Sequence, residues 1–381
     1  MRFVIEGIGI STYGTKQVAL GILQRLGNYP EHHFTVVFPN IPEFAAIVAP
    51  NISAVLLPKP ENLIRREVIL NFDIPRLCRN QRADALLCMG NFFPHRLPCR
   101  TVVLLQLPHV VYREPVIDRR FTVREKLVAT YGRYLYRHVP DDLLIIVQME
   151  AIKQRLVSLY GVQPGRVLVI PSAMPPFAPR RYDSSQAQRP SEPFLFLCFG
   201  GYYSHKNIEI IFDALQILPR YTAKPARCLI TVSADQQAGA KRFLRKIAQA
   251  GENSKITCIG PVNHDELPAL YQSGHAYILP TLMETFSFTY DEAMHFDLPI
   301  LTSDRDFARE RCQDAAVYFN PLDADSVAQA MGRVMEDADL RRRLAENGKR
   351  LLARAPSWDD VASCFVQVLE RVAKGQLPTP E

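Results

Sequence analysis

Two glutamates, Glu284 and Glu292, bracket most of the stretch ETFSFTYDEAM (284–294), with seven residues between them. Carboxylates accept hydrogen bonds, meet cations and move protons, so local context decides what such a pair can do. Glu284 follows an apolar run, Ala276 to Pro280, that reads as a buried strand, whereas Glu292 falls inside a helix continuing to Phe296. The pair therefore straddles a strand-to-helix turn. Thr285, Phe286, Ser287 and Phe288 open that helix, whose first amides have no partner within it. Read alone, the two acids fit a helix cap and a surface charge equally well.

Two other turns place chemistry after strands. In FGGYYSHKN (199–207), Gly200 and Gly201 end an apolar run, and Lys206 stands just before a helix from Ile208, with Ser204 and His205 beside it. A lysine there either neutralises a diphosphate or sits in solvent. In GIGISTYGTKQVA (7–19), the strand Phe3 to Glu6 runs into Gly7, Gly9 and Gly14 before a helix starting near Thr15. Small residues let backbone amides approach a phosphate, although a plain connecting turn reads the same way. The spacing is not G-x-G-x-x-G, so the dinucleotide fingerprint is absent and a nicotinamide-dependent dehydrogenase is disfavoured.

These turns need strands and helices to hold them. Short apolar runs bounded by turn residues recur at 2–7, 34–39, 53–58, 84–90, 101–106, 143–148 and 167–172, with amphipathic stretches such as Lys16 to Leu26 and Glu150 to Tyr160 between several of them. This is the alternation of a buried parallel sheet with crossover helices. PPFAPRRYDSSQAQRPSEP (175–193) has almost nothing to bury and reads as a linker. The alternation then restarts at 194–201, 228–234, 255–261, 276–281, 299–304 and 316–321. Ser326 to Ala353 is helical in pattern, and Ser357 can cap a last helix. The expectation is α/β: a domain over 1–178, a linker over 179–193, a second domain over 194–355 and a terminal segment over 356–381.

With 381 residues, 48% of them hydrophobic, the chain can fill two cores. No apolar stretch reaches the roughly 20 residues of a membrane span, and the first residues lack a secretory signal layout, so the expected location is the cytoplasm. Eight scattered cysteines without a C-x-x-C pair read as reduced thiols, and neither Cys nor His spacing predicts a metal-ligand cluster. The net charge of +6 is uneven: residues 1–178 hold 21 Lys and Arg against 13 Asp and Glu. That half would attract an anionic partner, or simply be solvated.

Taken in order, these motifs resemble the retaining GT-B glycosyltransferases of family 4. The marks are the E-x7-E element continuing as EAMHFDLPILTSD, the glycine-plus-lysine turn after the first strand of the second domain, and YGVQPGRVLVIPSAM before the linker. The resemblance spans nearly the whole chain. It implies two Rossmann-like doubly wound domains facing across a cleft, with the last helix, Trp358 to Val372, packing back on the first. It implies that Glu284 lies by the donor sugar, Glu292 holds the ribose hydroxyls, and Lys206 meets the diphosphate. Thr285 to Phe288 would offer amides to phosphates and sugar, with Gly14, Gly200, Gly201, Ser204 and His205 completing the donor side. No metal or other cofactor is then required. Family members usually have E-G-F-G where this chain has Glu284-Thr285-Phe286-Ser287, a glycine where it has Asp297, and often an arginine near Gly201.

On the acceptor side the resemblance favours His109, after the strand Thr101 to Leu105, over Gln106; a packed histidine is the plain alternative. RRFTVREKLVATYGRYLYRH (119–138) mixes seven basic residues with Phe121, Tyr131, Tyr134 and Tyr136, which fits peripheral membrane contact at the inner face, where lipid-linked acceptors lie, or a domain helix with a basic outer face. No nucleic-acid motif accompanies it. Two D-x-D matches, Asp304 to Asp306 and Asp323 to Asp325, are not assigned to metal; the second reads as a helix cap. The resulting expectation is a metal-independent hexosyltransferase moving sugar from a nucleotide donor to a saccharide or lipid-linked acceptor in cell-surface polysaccharide or glycan synthesis. Its rivals are a nucleotide-sugar epimerase on the same frame and a non-catalytic binding or scaffold protein.

Overall fold

All thirteen apolar runs form strands in the computed structural model, which describes residues 1–10, 12–177 and 193–376. The linker expected over 179–193 lies, apart from Pro193, outside the described residues. The chain divides into two compact units.

The first unit contains Met1–Arg113, Val123–Pro175 and the described residues from Pro356 onward. Its strands are β1 (Arg2–Glu6), β2 (His33–Pro39), β3 (Ile52–Leu57), β4 (Ala85–Cys88), β5 (Arg100–Leu104), β6 (Leu143–Val147) and β7 (Val167–Val169). Among them run α1 (Tyr13–Leu23), α2 (Pro42–Ala45), α3 (Leu63–Val68), α4 (Ile74–Gln81) and α5 (Pro108–Val111). The second unit contributes α6 (Pro115–Asp118), and the first resumes with α7 (Val123–Arg137) and α8 (Glu150–Tyr160). The sheet is parallel throughout, in the order β3-β2-β1-β4-β5-β6-β7. Runs such as LLIIV in β6 are buried at every position, as a sheet covered on both faces requires.

The second unit contains Glu114–Thr122 and Pro176–Ala355. Its sheet, in the order β10-β9-β8-β11-β12-β13, is built from β8 (Phe194–Cys198), β9 (Ala226–Ile230), β10 (Ile256–Cys258), β11 (Ala276–Leu279), β12 (Ile300–Ser303) and β13 (Ala316–Phe319). Around it lie α9 (Glu209–Ile217), α10 (Ala238–Ala250), α11 (Leu267–Ser273), α12 (Phe288–His295), α13 (Asp306–Cys312), α14 (Ala324–Glu336) and α15 (Ala338–Leu352). Glu114–Thr122 belongs here because its side chains bond within this unit. Arg305 Nη1 donates to Glu114 Oε2 at 2.6 Å, and Arg120 Nη1 donates to Asn207 Oδ1 at 2.5 Å.

The last helix, α16 (Trp358–Ala373), is capped by Ser357 and packs on α1, β4 and β5 of the first unit. Trp358 Nε1 donates to the carbonyl of Met174 at 3.0 Å, and Arg25 Nε meets Asp359 Oδ1 at 3.0 Å. Sequence spacing showed no group of metal-type ligands, yet α16 brings Glu370 to Glu31 and His32, with one ligand atom from each lying within 4.8 Å of the others. The His32 Nε2–Glu370 Oε1 distance is 2.7 Å, so the two already satisfy one another.

Candidate active site

In the second unit the chain starts at β8, moves outward to β9 and β10, then returns to β11 on the other side of β8. Parallel sheets bind ligands at such a reversal, beyond the carboxyl ends of the strands. The loops after β8 and β11 carry the two motifs singled out in the sequence.

After β8, Gly200 adopts φ 129°, a region open in practice only to glycine. Its amide donates to Thr231 Oγ1 at 3.0 Å, and the same hydroxyl donates back to the Gly200 carbonyl at 3.2 Å. A side chain at Gly201 would press on Tyr203 and Gln236, both 3.1 Å from an added Cβ. Ser204, His205 and Lys206 form one 3₁₀ turn, closed by Asn207 at φ 54°. The amide of Leu282, from the loop after β11, donates to the His205 carbonyl at 2.8 Å. The two loops are thereby tied, and Lys206 Nζ reaches Glu284 Oε1 at 2.6 Å, with both side chains largely buried.

Beyond Glu284 the chain continues through buried Thr285, half-buried Phe286 and buried Ser287 into α12, with Phe288 as its first helical residue. Ser287 is the residue before the helix, in extended conformation, and its hydroxyl lies 3.0 Å from Thr289 Oγ1. The first-turn amides of α12 supply positive potential at the loop that carries Glu284.

Glu292 lies on α12 and is buried. Tyr271 of α11 donates its hydroxyl to Glu292 Oε2 at 2.6 Å. Burial pushes the Glu292 carboxyl up to about 7; the Tyr271 hydrogen bond opposes the rise and the charge of Asp291 adds to it. Asp291 is itself held up, at about 6, by burial, against the pull of Arg311, whose Nε donates to it at 2.6 Å. The Arg311 guanidinium also lies over the Phe286 ring, 5.3 Å from its centroid.

Tyr271, Asp291 and Arg311 were not anticipated. Asp291 stands beside Glu292 in the sequence, but its partner is twenty residues away and nothing local marks it. Asp323 caps α14 by accepting from the Asp325 amide at 3.0 Å, which accounts for the second D-x-D. Asp304 of the first is held by Arg309 through two bonds of 2.7 and 2.9 Å.

Gly14 and His109 lie in the first unit. Gly14 is the second residue of α1, which starts two positions before the expected Thr15. His109 is buried in the short helix α5, where its carbonyl accepts from Arg133 Nε at 3.0 Å. This sheet reverses between β1 and β4, and a polar group missed in the sequence occupies that reversal. Glu6, at the end of β1, is fully buried and pushed up to about 7 by burial, against the pull of Arg66. Arg66, its own affinity for the proton lowered by burial, donates to the Gly90 carbonyl and lies over Phe92, 4.4 Å from the ring centroid. A carboxylate closing the apolar run RFVIE was the available signal.

Residues 180–351 match the model of a family described as Glycosyl transferases group 1. An uncharacterized glycosyltransferase of Methanocaldococcus jannaschii is 25% identical over 248 residues, 61% of each chain. An O-antigen chain mannosyltransferase of Salmonella typhimurium is 23% identical over 188 residues, 49% of this chain and 50% of the relative. The aligned part thus spans half to three fifths of these relatives' lengths. Among solved structures, sucrose-phosphate synthase from Thermosynechococcus elongatus superimposes with a TM-score of 0.74 over 99% of this chain and 100% of its own, at 14% identity. That likeness establishes a shared fold.

Proposed function

We propose that this chain, whose residues 180–351 match the glycosyl transferases group 1 model, moves a hexose from a nucleotide-sugar donor to a saccharide or lipid-linked acceptor, with retention of anomeric configuration. The observation that carries the reading is the Lys206–Glu284 pair, 2.6 Å apart at the sheet reversal beside the start of α12.

In this reading the donor's diphosphate lies against Lys206 and the first amides of α12. Lysine has three N–H donors, so Lys206 can keep Glu284 and still meet a phosphate oxygen. As the bond from the anomeric carbon to the diphosphate breaks, negative charge grows on the leaving oxygen, where the ammonium and the amides stabilise it. The acceptor hydroxyl attacks the anomeric carbon from the same face, and its proton passes to the departing phosphate oxygen. Glu284 stands by the donor sugar and Glu292 takes the ribose hydroxyls, without a covalent enzyme intermediate and without a metal. Gly200, Gly201, Ser204, His205 and Thr285 to Phe288, all in the second unit, would complete the donor side. His109, in the first unit, would orient the acceptor. Mannose is the first sugar to test, because the Salmonella relative is an O-antigen chain mannosyltransferase. By the same analogy the product belongs to a cell-surface polysaccharide, made at the cytoplasmic face of a membrane.

The test is a thermal-shift and hydrolysis screen of GDP- and UDP-hexoses against wild type and the Lys206→Ala, Glu284→Ala and Glu292→Ala variants. One donor should stabilise wild type and be hydrolysed slowly, and folded variants should lose both effects. An isomerised sugar from donor alone would establish the epimerase instead. Donor binding without hydrolysis or transfer to any acceptor would leave a binding protein. Binding of no nucleotide sugar would overturn the reading.

A further inference from the structure

Half of the large exposed hydrophobic side chains among the described residues fall on two stretches of the first unit. Ile64, Val68 and Phe72 recur at four-residue spacing along α3 and the π-helical turn Ile69–Asp73 that follows it, exposed to 76%, 37% and 69%. Val123, Leu127 and Tyr134, exposed to 77%, 62% and 56%, recur at spacings of four and seven on α7. Both spacings put the three side chains on one helical face. Isolated exposed hydrophobics need no explanation, but two such stripes do.

The stripes are neighbours. Tyr131, one turn after Leu127, donates its hydroxyl to Glu67 on α3. The same ring packs edge-on against Phe92, at 5.2 Å between centroids. Cations flank both stripes: Arg65 and Arg76 are exposed beside the first, and Arg124, Lys126 and Arg137 beside the second. Residues 63–81 carry four arginines against two acids, and α7 carries four basic residues against one. Two of the aromatics that drew attention in the sequence, Phe121 and Tyr136, are buried and take no part.

We infer that this surface docks on a membrane leaflet rich in anionic lipid, the apolar stripes entering the headgroup boundary and the flanking cations meeting lipid phosphates. Apolar side chains bordered by Arg and Lys on an adjacent helix pair are the chemistry of an interfacial contact, in which buried apolar area and attraction to anionic headgroups add. Among the described residues no helix is long and apolar enough to cross a membrane. A nucleic acid would reward the cations but leave the apolar side chains in water.

The test is co-sedimentation of the full chain with vesicles of phosphatidylcholine, alone or with about one third phosphatidylglycerol. The chain should bind the anionic vesicles, bind pure phosphatidylcholine far less, and release as salt is raised. Phe72→Ser/Leu127→Ser and Arg124→Glu/Lys126→Glu should each weaken binding about tenfold with unchanged melting temperature, since all four side chains are exposed. Equal partitioning of wild type and variants would overturn the inference, as would no binding to either vesicle. So would a wild-type dimer in light scattering that the serine variants convert to monomer, which would assign the surface to a second copy of this chain. The vesicle readout does not depend on sugar transfer, so it stands or falls apart from the transferase reading.

Discussion

Lys206 Nζ donates to Glu284 Oε1 across 2.6 Å, joining the turn after β8 to the turn after β11. Both side chains are largely withdrawn from water, so each partner is a liability without the other. Lys206→Ala should therefore lower stability by about 3–5 kcal/mol, because Glu284 is left buried and unpaired. It should also lower kcat by about 10²–10³, the scale of losing one donor to a leaving-group charge. Lys206→Met/Glu284→Gln separates the two effects: melting should largely recover and transfer should not. Recovery of transfer in the double variant would show that the pair serves structure only.

Glu292 gives a pH signature in stability. Its folded-state value of about 7 lies above the ordinary 4.5, so between those values the folded protein keeps a proton that the unfolded chain has released. Its contribution is full below about pH 4.5 and is lost as pH rises to about 7, amounting to about 3 kcal/mol. Glu6 acts with the same sign over the same window. Thermal melts of Glu292→Gln against wild type should diverge progressively across that range, and parallel curves would contradict the assignment.

Donor binding should show the complementary pattern. Ribose hydroxyls donate to a carboxylate, so they favour the ionised form of Glu292. Affinity for the nucleoside diphosphate should then rise about tenfold between pH 6 and pH 8 and level off above the residue's value of about 7. Calorimetry at pH 6 in two buffers of different ionisation enthalpy should register close to one proton released. No release would remove Glu292 from the ribose.

What the sequence made legible follows from what each feature depends on. Strands such as LLIIV (143–147) are visible because a sheet buried on both faces demands an unbroken apolar run. Lys206 and Glu284 are visible as turn residues after strands, although only the order β8-β11 makes them meet. Tyr271–Glu292, Asp291–Arg311 and Glu6–Arg66 were illegible, since each pairs residues at least twenty positions apart through tertiary packing. The stretch 119–138 was legible only in part, for a periodic reason: of its aromatics Phe121 and Tyr136 are buried and Tyr134 is exposed, while Val123 and Leu127, which looked unremarkable, face water.

Asp297 occupies a position where the resembled family has glycine, and its φ of 59° explains the preference. The left-handed region costs most side chains about 1–2 kcal/mol, with aspartate among the more tolerant. Lys349 Nζ, 3.1 Å from Asp297 Oδ2, offsets part of that strain. Asp297→Gly should therefore raise the melting temperature slightly or leave it unchanged, with transfer intact. Asp297→Val should lower it by several degrees. A large loss of activity in Asp297→Gly without a change in melting would mean that the carboxylate serves the donor instead.

Trp358 tests how much of the first unit depends on the last helix. Its ring lies over Gly21 of α1, where an added Cβ would fall 2.3 Å from the indole, and its Nε1 is bonded to the Met174 carbonyl. Trp358→Ala removes both that packing and the hydrogen bond, at a cost of about 3–5 kcal/mol, or on the order of 10 °C in the melting of a unit this size. Gly21→Ala should destabilise by about 1–3 kcal/mol through overpacking against the same ring. Because the two positions touch, Gly21→Ala/Trp358→Ala should cost less than the sum of the single changes: the methyl enters space that the indole has left. Strict additivity in calorimetric melts would mean that α16 does not rest on α1 as described.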